Sequence, residues 1–285
     1  MTTALIILFL LAVMAAVVYI FAVMPRVTDP ADMELQSVDH AHRGLWGKGV
    51  PENSLAAFEA AVSRGYGIEL DIRLSKDGQV MVFHDESLRR MCGVGGSVAS
   101  YTARELKALR LSDTEWRIPE LSEVFDIVRG RVPLLIEIKD RQNAPALCRA
   151  ASELLDSYNG AFSVQSFDPR VLSWFKQYRP RFARGLLLTS YREYRKELDG
   201  KKGALLSFAL SHMLTNLVAR PDFISLRGDR RNSLGVLLAL HLFKVRCFMW
   251  TVRTPDTYRL ARSKNMHAIF EVIRPPRNIK RTYKR

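Results

Sequence analysis

Cysteine is scarce in this chain, and its placement argues against a cysteine-bound metal site and against a disulfide-stapled fold. The three cysteines, Cys92, Cys148 and Cys247, show no metal-ligand spacing, and an odd number gives no obvious disulfide framework. We therefore expect ordinary buried thiols. Glycine and proline are also modest, at 16 and 12 of 285 residues. This composition excludes a collagen-like or low-complexity chain.

Acidic residues are also scarce relative to basic ones. Asp and Glu number 29 against 43 Lys and Arg, which leaves a formal net charge of +14. Such a surface attracts anions, whether lipid headgroups, phosphorylated small molecules or nucleic acid. No helix-turn-helix, zinc pattern or aromatic-rich sheet signature accompanies the charge, so we expect no nucleic-acid partner. An anionic membrane surface remains an expected partner, and nothing in the sequence specifies an oligomeric state.

Charged side chains are absent from residues 2–24. Residues 4–24 are almost wholly apolar, and at ~1.5 Å per residue the run extends about 31 Å, close to the ~30 Å hydrocarbon thickness of a bilayer. A cleaved signal peptide is the alternative, but it prefers a basic start, a shorter apolar stretch and a small-residue cleavage site. We expect a single-pass anchor in the cell membrane. The basic body would then face the cytoplasm, where the inner leaflet carries anionic lipid.

Beyond the anchor, short apolar runs alternate with helical segments, which predicts a parallel sheet covered by helices. The expected organisation is an anchor at 1–25, a linker at 26–37, a barrel domain at 38–275 and a basic tail at 276–285. Strands are predicted at 38–42, 67–72, 133–138, 161–166, 183–188, 222–226, 245–251 and 267–271. Helices are predicted at 54–64, 102–109, 120–129, 144–157, 168–178, 203–219, 231–242 and 255–264. Eight such repeats favour an α/β fold, a closed (β/α)₈ TIM barrel.

Two segments need separate interpretation. Residues 72–84 hold two extended runs joined by a Lys-Asp-Gly turn, so the second run should return antiparallel as a hairpin after strand 2. This hairpin would bring His84 back to the level of Asp71.

The apolar stretch 203–219 is short for a second membrane span and carries polar residues, which favours a barrel helix with core positions at Met213, Leu214 and Leu217.

Chemistry-bearing side chains fall at the carboxyl ends of the predicted strands, where barrel enzymes place their sites. They are His42, Arg43, Glu69, Asp71, His84, Glu137 and Lys139. Glu69 and Asp71 are two residues apart on one strand, so both carboxylates project toward the barrel axis.

Three carboxylates in one barrel mouth repel each other and need a counter-charge. An all-oxygen set selects one hard divalent cation, Mg²⁺ or Ca²⁺, over zinc. Two histidines and two basic side chains around that cation would suit the cleavage of a phosphodiester: one imidazole removes a proton and the other donates one.

Five ordered motifs are similar to the signature of the glycerophosphodiester phosphodiesterase family. They are His42-Arg43-Gly44, Pro51-Glu52-Asn53-Ser54, Glu69-Leu70-Asp71, Phe83-His84-Asp85 and Glu137-Ile138-Lys139. Weaker similarities follow around Pro119, Ser166 and Trp250, so the resemblance covers about residues 40–273. It implies a barrel enzyme that hydrolyses glycerophosphodiesters to glycerol 3-phosphate and an alcohol with a divalent cation.

The resemblance also implies roles for individual residues. The metal ligands would be Glu69, Asp71 and Glu137, the acid-base pair would be His42 and His84, and Arg43 and Lys139 would contact phosphate. Glu52 would support the barrel mouth by fixing Arg43, Asn53 could cap the helix that begins at Ser54, and Trp250 would form a pocket wall.

The sequence departs from the family pattern near its carboxyl end, at Arg253 and at Phe270-Glu271. We expect these changes to leave the metal ligands and histidines untouched, and Arg253 to favour an anionic alcohol portion. Two alternatives stay open: a lipid phosphodiesterase like the sphingomyelinase D-related enzymes, which forms a cyclic phosphate, and an inactive barrel that binds lipid headgroups.

Overall fold

A computed structural model of the chain describes residues 2–26, 38–139, 143–198 and 200–276. The predicted linker beyond Arg26 and the basic tail beyond residue 276 lie outside the described residues. The strands are β1 (His40–His42), β2 (Gly67–Leu74), β3 (Val80–Val82), β4 (Leu134–Ile138), β5 (Phe162–Ser166), β6 (Arg184–Leu188), β7 (Phe223–Arg227), β8 (Arg246–Val252) and β9 (His267–Phe270).

Eight of these strands form the predicted parallel barrel. The sheet runs in the order β1-β9-β8-β7-β6-β5-β4-β2, and β1 pairs with β2 to close it. The remaining strand, β3, pairs antiparallel with β2, which confirms the hairpin. Its register places Phe83 opposite Asp71, with a 2.9 Å hydrogen bond from the Phe83 N–H to the Asp71 carbonyl. His84 therefore lies one residue beyond the predicted pairing.

The helices surround the barrel. They are α1 (Thr2–Val23), α2 (Leu55–Ser63), α3 (Arg89–Cys92), α4 (Ala103–Leu106), α5 (Leu121–Val128), α6 (Ala144–Asp156), α7 (Pro169–Tyr178), α8 (Tyr191–Glu197), α9 (Gly200–Ser211), α10 (Asn216–Ala219), α11 (Leu234–Leu237) and α12 (Pro255–Ser263). A single π turn, Leu238–Leu242, continues α11. Ser and Thr side chains cap the amino-terminal ends of several helices. Ser54, for example, accepts a hydrogen bond from the Ala57 N–H at the start of α2.

The helix predictions differ from the structure over α8, α9 and α10. The predicted helix 203–219 is two helices, α9 and α10, because the chain turns between them through Met213, whose φ of 62° does not fit a helix. Leu217 was expected in the core but is 49 % exposed, whereas Met213 is buried. Helix α8 was not predicted, since five of its seven residues are charged and it has no apolar stripe.

Aromatic side chains fill the amino-terminal part of the barrel interior. The His40 ring packs edge-on against Phe248 with ring centroids 5.3 Å apart. Two glycines make room for these rings: a Cβ at Gly67 would lie 2.6 Å from the His40 ring, and one at Gly185 would lie 2.0 Å from Phe223. This apolar plug leaves the carboxyl-terminal end of the barrel to polar side chains.

Helix α1 is long and apolar enough to cross a membrane, with a mean hydropathy of 3.1 over an 18-residue window. Its residues 2–18 are exposed, and only its last turn packs on the barrel, where Val23 is buried. The Asn216 amide donates to the Val23 carbonyl at 2.9 Å, and Arg26 forms a 2.5 Å ion pair with Asp222. The apolar helix is therefore fixed to the body beside α10 and the amino-terminal end of β7.

Candidate active site

Three buried carboxylates meet at the carboxyl-terminal end of neighbouring strands β2 and β4. The alternation of side chains along β2 points Glu69 and Asp71 inward, and the parallel register places Glu137 of β4 beside Asp71. One oxygen from each of the three carboxylates lies within 4.8 Å of the others. The sequence reading predicted this cluster, and the fold brings it together.

Two cations partly neutralise the triad. Lys139 Nζ lies 2.7 Å from Glu137 Oε1 and 3.3 Å from Asp71 Oδ1. The Arg43 backbone N–H donates to Glu69 at 3.0 Å, and its guanidinium lies 3.5 Å from Asp71. Three carboxylates against two cations leave an excess of negative charge in a buried space.

Burial and the neighbouring charges together set the pKa values of the three carboxyl groups. Burial, together with the charges of Asp71 and Glu137, raises the pKa of Glu69 well above its usual value. Burial raises the pKa of Glu137 to about 7, even though Lys139 opposes the shift. Burial alone would raise the pKa of Asp71, but Lys139, His84 and Arg43 hold it well below its usual range. One carboxylate is thus favoured as an anion, while its neighbours resist ionisation.

This triad fits a hard divalent cation. Asp71 Oδ1 is buried and receives no hydrogen bond, although Lys139 lies within ion-pair distance. Oxygen donors of this kind suit Mg²⁺ or Ca²⁺. A divalent charge would also let Glu69 and Glu137 ionise together, which the two basic side chains do not achieve.

His42 is held by Glu271, a carboxylate to which the sequence analysis gave no role in the site. Its Nδ1 lies 2.8 Å from Glu271 Oε2, and the Arg253 guanidinium donates to the same carboxylate. The expectation that the changes at Phe270-Glu271 leave the histidines untouched is therefore wrong. Because β1 pairs with β9 and Ala41 lies opposite Phe270, the next residue of each strand falls side by side. The predicted closure of the barrel could have identified this pair.

His84 is held in the same way. Its Nδ1 lies 2.6 Å from Asp85 Oδ1, and Arg90 binds the second oxygen of that carboxylate at 2.5 Å. Arg90 also lies 2.6 Å from Glu52, which in turn binds Arg43 at 2.8 Å. The predicted contact of Glu52 with Arg43 is confirmed, and Arg90 of α3 connects it to the histidine. No local sequence signal marks Arg90, since α3 follows an irregular segment.

Burial disfavours the charged form of both imidazoles. Burial lowers the pKa of His42, with Glu271 opposing the shift. Burial also lowers the pKa of His84 to about 4, with Asp71 opposing it. The charge of Asp71 opposes the lowering of the pKa in both rings. A carboxylate that accepts a hydrogen bond from Nδ1–H favours the tautomer in which Nε2 carries no proton. Nε2 of each ring is then free to take up a proton.

Asn53 does not cap helix α2. The helix begins at Leu55, so Ser54 is its N-cap, and Asn53 instead donates to Asp71 Oδ2 at 2.9 Å. Its backbone has a φ of 53°, which turns the side chain away from the helix. Asn53 therefore satisfies the carboxylate oxygen that faces away from Lys139.

A cavity of about 920 Å³ opens beside the triad. Its wall includes His84, Glu137, Lys139 and Trp250. The Trp250 indole N–H donates to the Ser225 carbonyl at 3.0 Å, and its ring packs edge-on against Phe167 at 5.7 Å. These two contacts hold Trp250 in place as part of the cavity wall, which is the position predicted for it from the sequence. Ser97 and Ala99, from the segment after the hairpin, form another part of the wall.

The family model for "Glycerophosphoryl diester phosphodiesterase family" matches residues 42–271. This chain belongs to that family. The match begins at His42 and ends at Glu271, the two partners of the β1–β9 pair, so the family domain includes the whole set of inward-facing groups.

Relatives of known name are similar over part of the chain. A glycerophosphodiester phosphodiesterase of Bacillus altitudinis is 34 % identical over 52 % of this chain and 64 % of its own length. The human lysophospholipase D GDPD1 is 36 % identical over 42 % of this chain and 41 % of its own. The chain spans only 61 to 65 % of the length of the first three curated relatives.

Solved structures share the barrel. A glycerophosphodiester phosphodiesterase from Thermotoga maritima superposes with a TM-score of 0.61 at 28 % identity, over 82 % of this chain and 94 % of that one. The family domain and the shared barrel thus agree with the fold derived from the sequence.

Proposed function

We propose that this protein hydrolyses glycerophosphodiesters to sn-glycerol 3-phosphate and an alcohol with the help of one divalent cation, Mg²⁺ or Ca²⁺. The observation that carries the proposal is the buried triad of Glu69, Asp71 and Glu137, flanked by two carboxylate-bound histidines. Membership in the family and the name of the Bacillus altitudinis relative support the same reaction class.

The cation would be held by Glu69, Asp71 and Glu137, and when bound it supplies positive charge for the phosphoryl oxygens. Lys139 and Arg43 stand beside the triad and add positive charge to the same region. Arg43 keeps its orientation because Glu52 accepts from its guanidinium at 2.8 Å. The two side chains therefore bind the phosphate and stabilise the charge that develops on it.

The two histidines move the protons. One imidazole takes the proton of the attacking water through Nε2, while the other, entering the step protonated, gives a proton to the departing alkoxide. A bond forms between the water oxygen and phosphorus, and the bond from phosphorus to the alcohol oxygen breaks. Glu271 and Asp85 stabilise the imidazolium forms and hold each ring in place.

The direct test is product analysis with a panel of glycerophosphodiesters and defined cations. We expect sn-glycerol 3-phosphate and free alcohol to appear with Mg²⁺ or Ca²⁺ and to disappear in excess chelator. Reaction in ¹⁸O-labelled water should place the label in the phosphate. A cyclic phosphate as the final product would instead identify a substrate hydroxyl as the nucleophile, and full turnover in chelator would contradict the cation's role.

A lysophospholipid is the second candidate substrate. The human relative carries the name lysophospholipase D, and α1 would hold this barrel beside lipid. The same assay separates the candidates, because a lysophospholipid hydrolysed faster than glycerophosphocholine would favour this reading. We also propose that α1 is an uncleaved membrane anchor, since its last turn forms part of the packed body.

Glu271 should position His42. We expect Glu271→Gln to lower kcat about tenfold and to move the limb of the pH–rate profile set by His42 to lower pH, because Glu271 raises the pKa of His42. Arg253→Gln removes an exposed partner of the same carboxylate and should change kcat by no more than about twofold. If Glu271 had only a structural role, the pH–rate profile of the variant would match that of the unaltered protein.

Cation binding should stabilise the fold more as the pH rises. The raised pKa of Glu137, about 7, means that the cation-free native state binds more protons than the unfolded state between the two pKa values. Stability without cation therefore falls as the pH rises through that window, and the cation reverses the loss. We expect the increase in Tm produced by cation to be larger near about pH 8 than near about pH 5.5.

Glu137→Gln provides the matched control for this measurement. The amide does not titrate, so the variant should lose the part of the pH dependence of the cation effect that Glu137 contributes. An equal cation effect at both pH values in the unaltered protein would contradict the assignment of Glu137 as a ligand.

A further inference from the structure

Most large hydrophobic side chains of the barrel are buried, but one side of it exposes several of them together. They lie on α9, α10 and α11 and are between 41 and 72 % exposed. We call this set the apolar flank: Leu205, Leu206, Phe208, Leu217, Val218 and Leu234. Exposed apolar surface of this kind marks an interaction site.

The apolar flank is continuous with the last turn of α1. Phe208 stacks on His212 with ring centroids 4.2 Å apart, and the His212 carbonyl accepts from the Tyr19 hydroxyl at 3.5 Å. On the other side, Asn216, next to Leu217, donates to the Val23 carbonyl.

The third helix of the flank also reaches α1. A Cβ at Gly235, the neighbour of Leu234, would lie 3.3 Å from the Tyr19 hydroxyl. Residues in α10 and α11, and the residue that follows α9, therefore lie against the last turn of α1.

The length of α1 places that turn at the membrane. Residues 2–18 are the part of α1 that stands clear of the barrel, and at ~1.5 Å per residue they extend about 26 Å. The hydrocarbon layer is ~30 Å thick, so residues 2–18 alone are too short to span it unless the bilayer thins. The bilayer must then include the turn at 19–23, and the apolar flank beside that turn reaches the same lipid.

Charge around the apolar flank suits anionic headgroups. Residues 200–221 contain Lys201, Lys202 and Arg220 and no acidic residue. Arg220 binds the carbonyls of Phe21 and Met24 at the end of α1, and Lys176 of α7 donates to the Val218 carbonyl. An apolar centre with a basic border is the pattern of a surface that enters a lipid interface.

We propose that the apolar flank is embedded in the same bilayer leaflet that receives the last turn of α1, an inference that rests on the proposed anchoring by α1. The lipid is the occupant of this surface. The barrel is then held by a broad contact as well as by its anchor, which fixes the orientation of the cavity relative to the membrane.

Depth measurements on the full chain test this inference. A fluorescent bimane label is placed on single accessible cysteines, at Leu217→Cys and Leu205→Cys in the flank. The background is Cys92→Ser, in which Cys148 and Cys247 remain but are buried. Leu11→Cys reports on the anchor, and Ser63→Cys is the matched exposed control on α2, across the barrel. The protein is reconstituted in phosphatidylcholine and phosphatidylglycerol vesicles at a ratio of about three to one, with brominated lipid or aqueous iodide as quencher.

We expect brominated lipid to quench the two flank labels to within a factor of about two of the Leu11 label, and to leave the Ser63 label almost unchanged. Strong lipid quenching at Leu11 with none at the flank would overturn the proposal while keeping the anchor. Flank labels shielded from both quenchers would show a protein partner there and overturn it too. An unquenched Leu11 label would overturn the anchoring as well, whereas glycerophosphodiester hydrolysis is measured independently of all four labels.

Discussion

Replacing His84 by alanine should lower kcat for glycerophosphodiester hydrolysis by about 10² to 10⁴-fold. The imidazole is held by Asp85 at 2.6 Å and borders the cavity beside Glu137 and Lys139. In the proposed mechanism the substitution removes one of the two proton-transfer groups, while the triad and the two basic side chains beside it stay in place. The measurement is steady-state kinetics at saturating cation, with cation affinity determined in parallel.

His241→Ala is the matched control, because His241 is exposed on the π turn that follows α11 and lies outside the site. It should keep the original rate. If His84→Ala also keeps the original rate, His84 has no part in proton transfer. A loss of cation affinity equal to the loss of rate would instead place His84 in support of the metal ligands.

Replacing Glu69 by glutamine should raise the cation concentration needed for half-maximal activity by about 10²-fold or more, since even groups that only support ligands are worth 10 to 100-fold. The substitution keeps the shape of the side chain. The pKa of Glu69 is raised well above its usual value, so the cation-free protein already favours the uncharged form. The variant should therefore fold normally without cation.

Two readouts separate a ligand role from a structural one. The Tm of the cation-free Glu69→Gln protein should match or exceed that of the original, whereas the gain in Tm on adding cation should largely disappear. Glu59→Gln, an exposed carboxylate-to-amide change on α2, should alter neither. An unchanged cation requirement in Glu69→Gln would remove Glu69 from the metal site.

The strand pattern made the barrel and most of its site predictable. Alternation along β2 directs Glu69 and Asp71 to one face, and the short turn of the hairpin leaves no route for β3 except back along β2. These are local rules that depend on neighbours in the chain. The carboxylates and His84 follow from them.

Residues that act across the barrel were harder to predict. Arg90 connects Asp85 with Glu52 from a one-turn helix, and only the packed structure brings these three charges together. Glu271 differs, because the closed order of strands already implies that β9 ends beside β1. Its contact with His42 was available to sequence reasoning, but the residue was read as a departure from the family pattern.

Hydrophobicity alone misled the interpretation of residues 203–219. An apolar stretch predicts burial, but burial in protein and burial in lipid look the same in a sequence. Met213 packs in the core, whereas Leu217 points outward beside the end of α1. The break between α9 and α10 determines which side chains face outward, and it depends on the turn at Met213.

The most direct test is to locate the cation itself. Crystals of the protein grown with Mn²⁺, which shares the oxygen preference of Mg²⁺, can be measured at a wavelength where manganese scatters anomalously. The account predicts one strong peak within about 2.5 Å of an oxygen from each of Glu69, Asp71 and Glu137. A peak bound elsewhere, or none at the triad in crystals of protein that shows Mn²⁺-dependent hydrolysis, would contradict it.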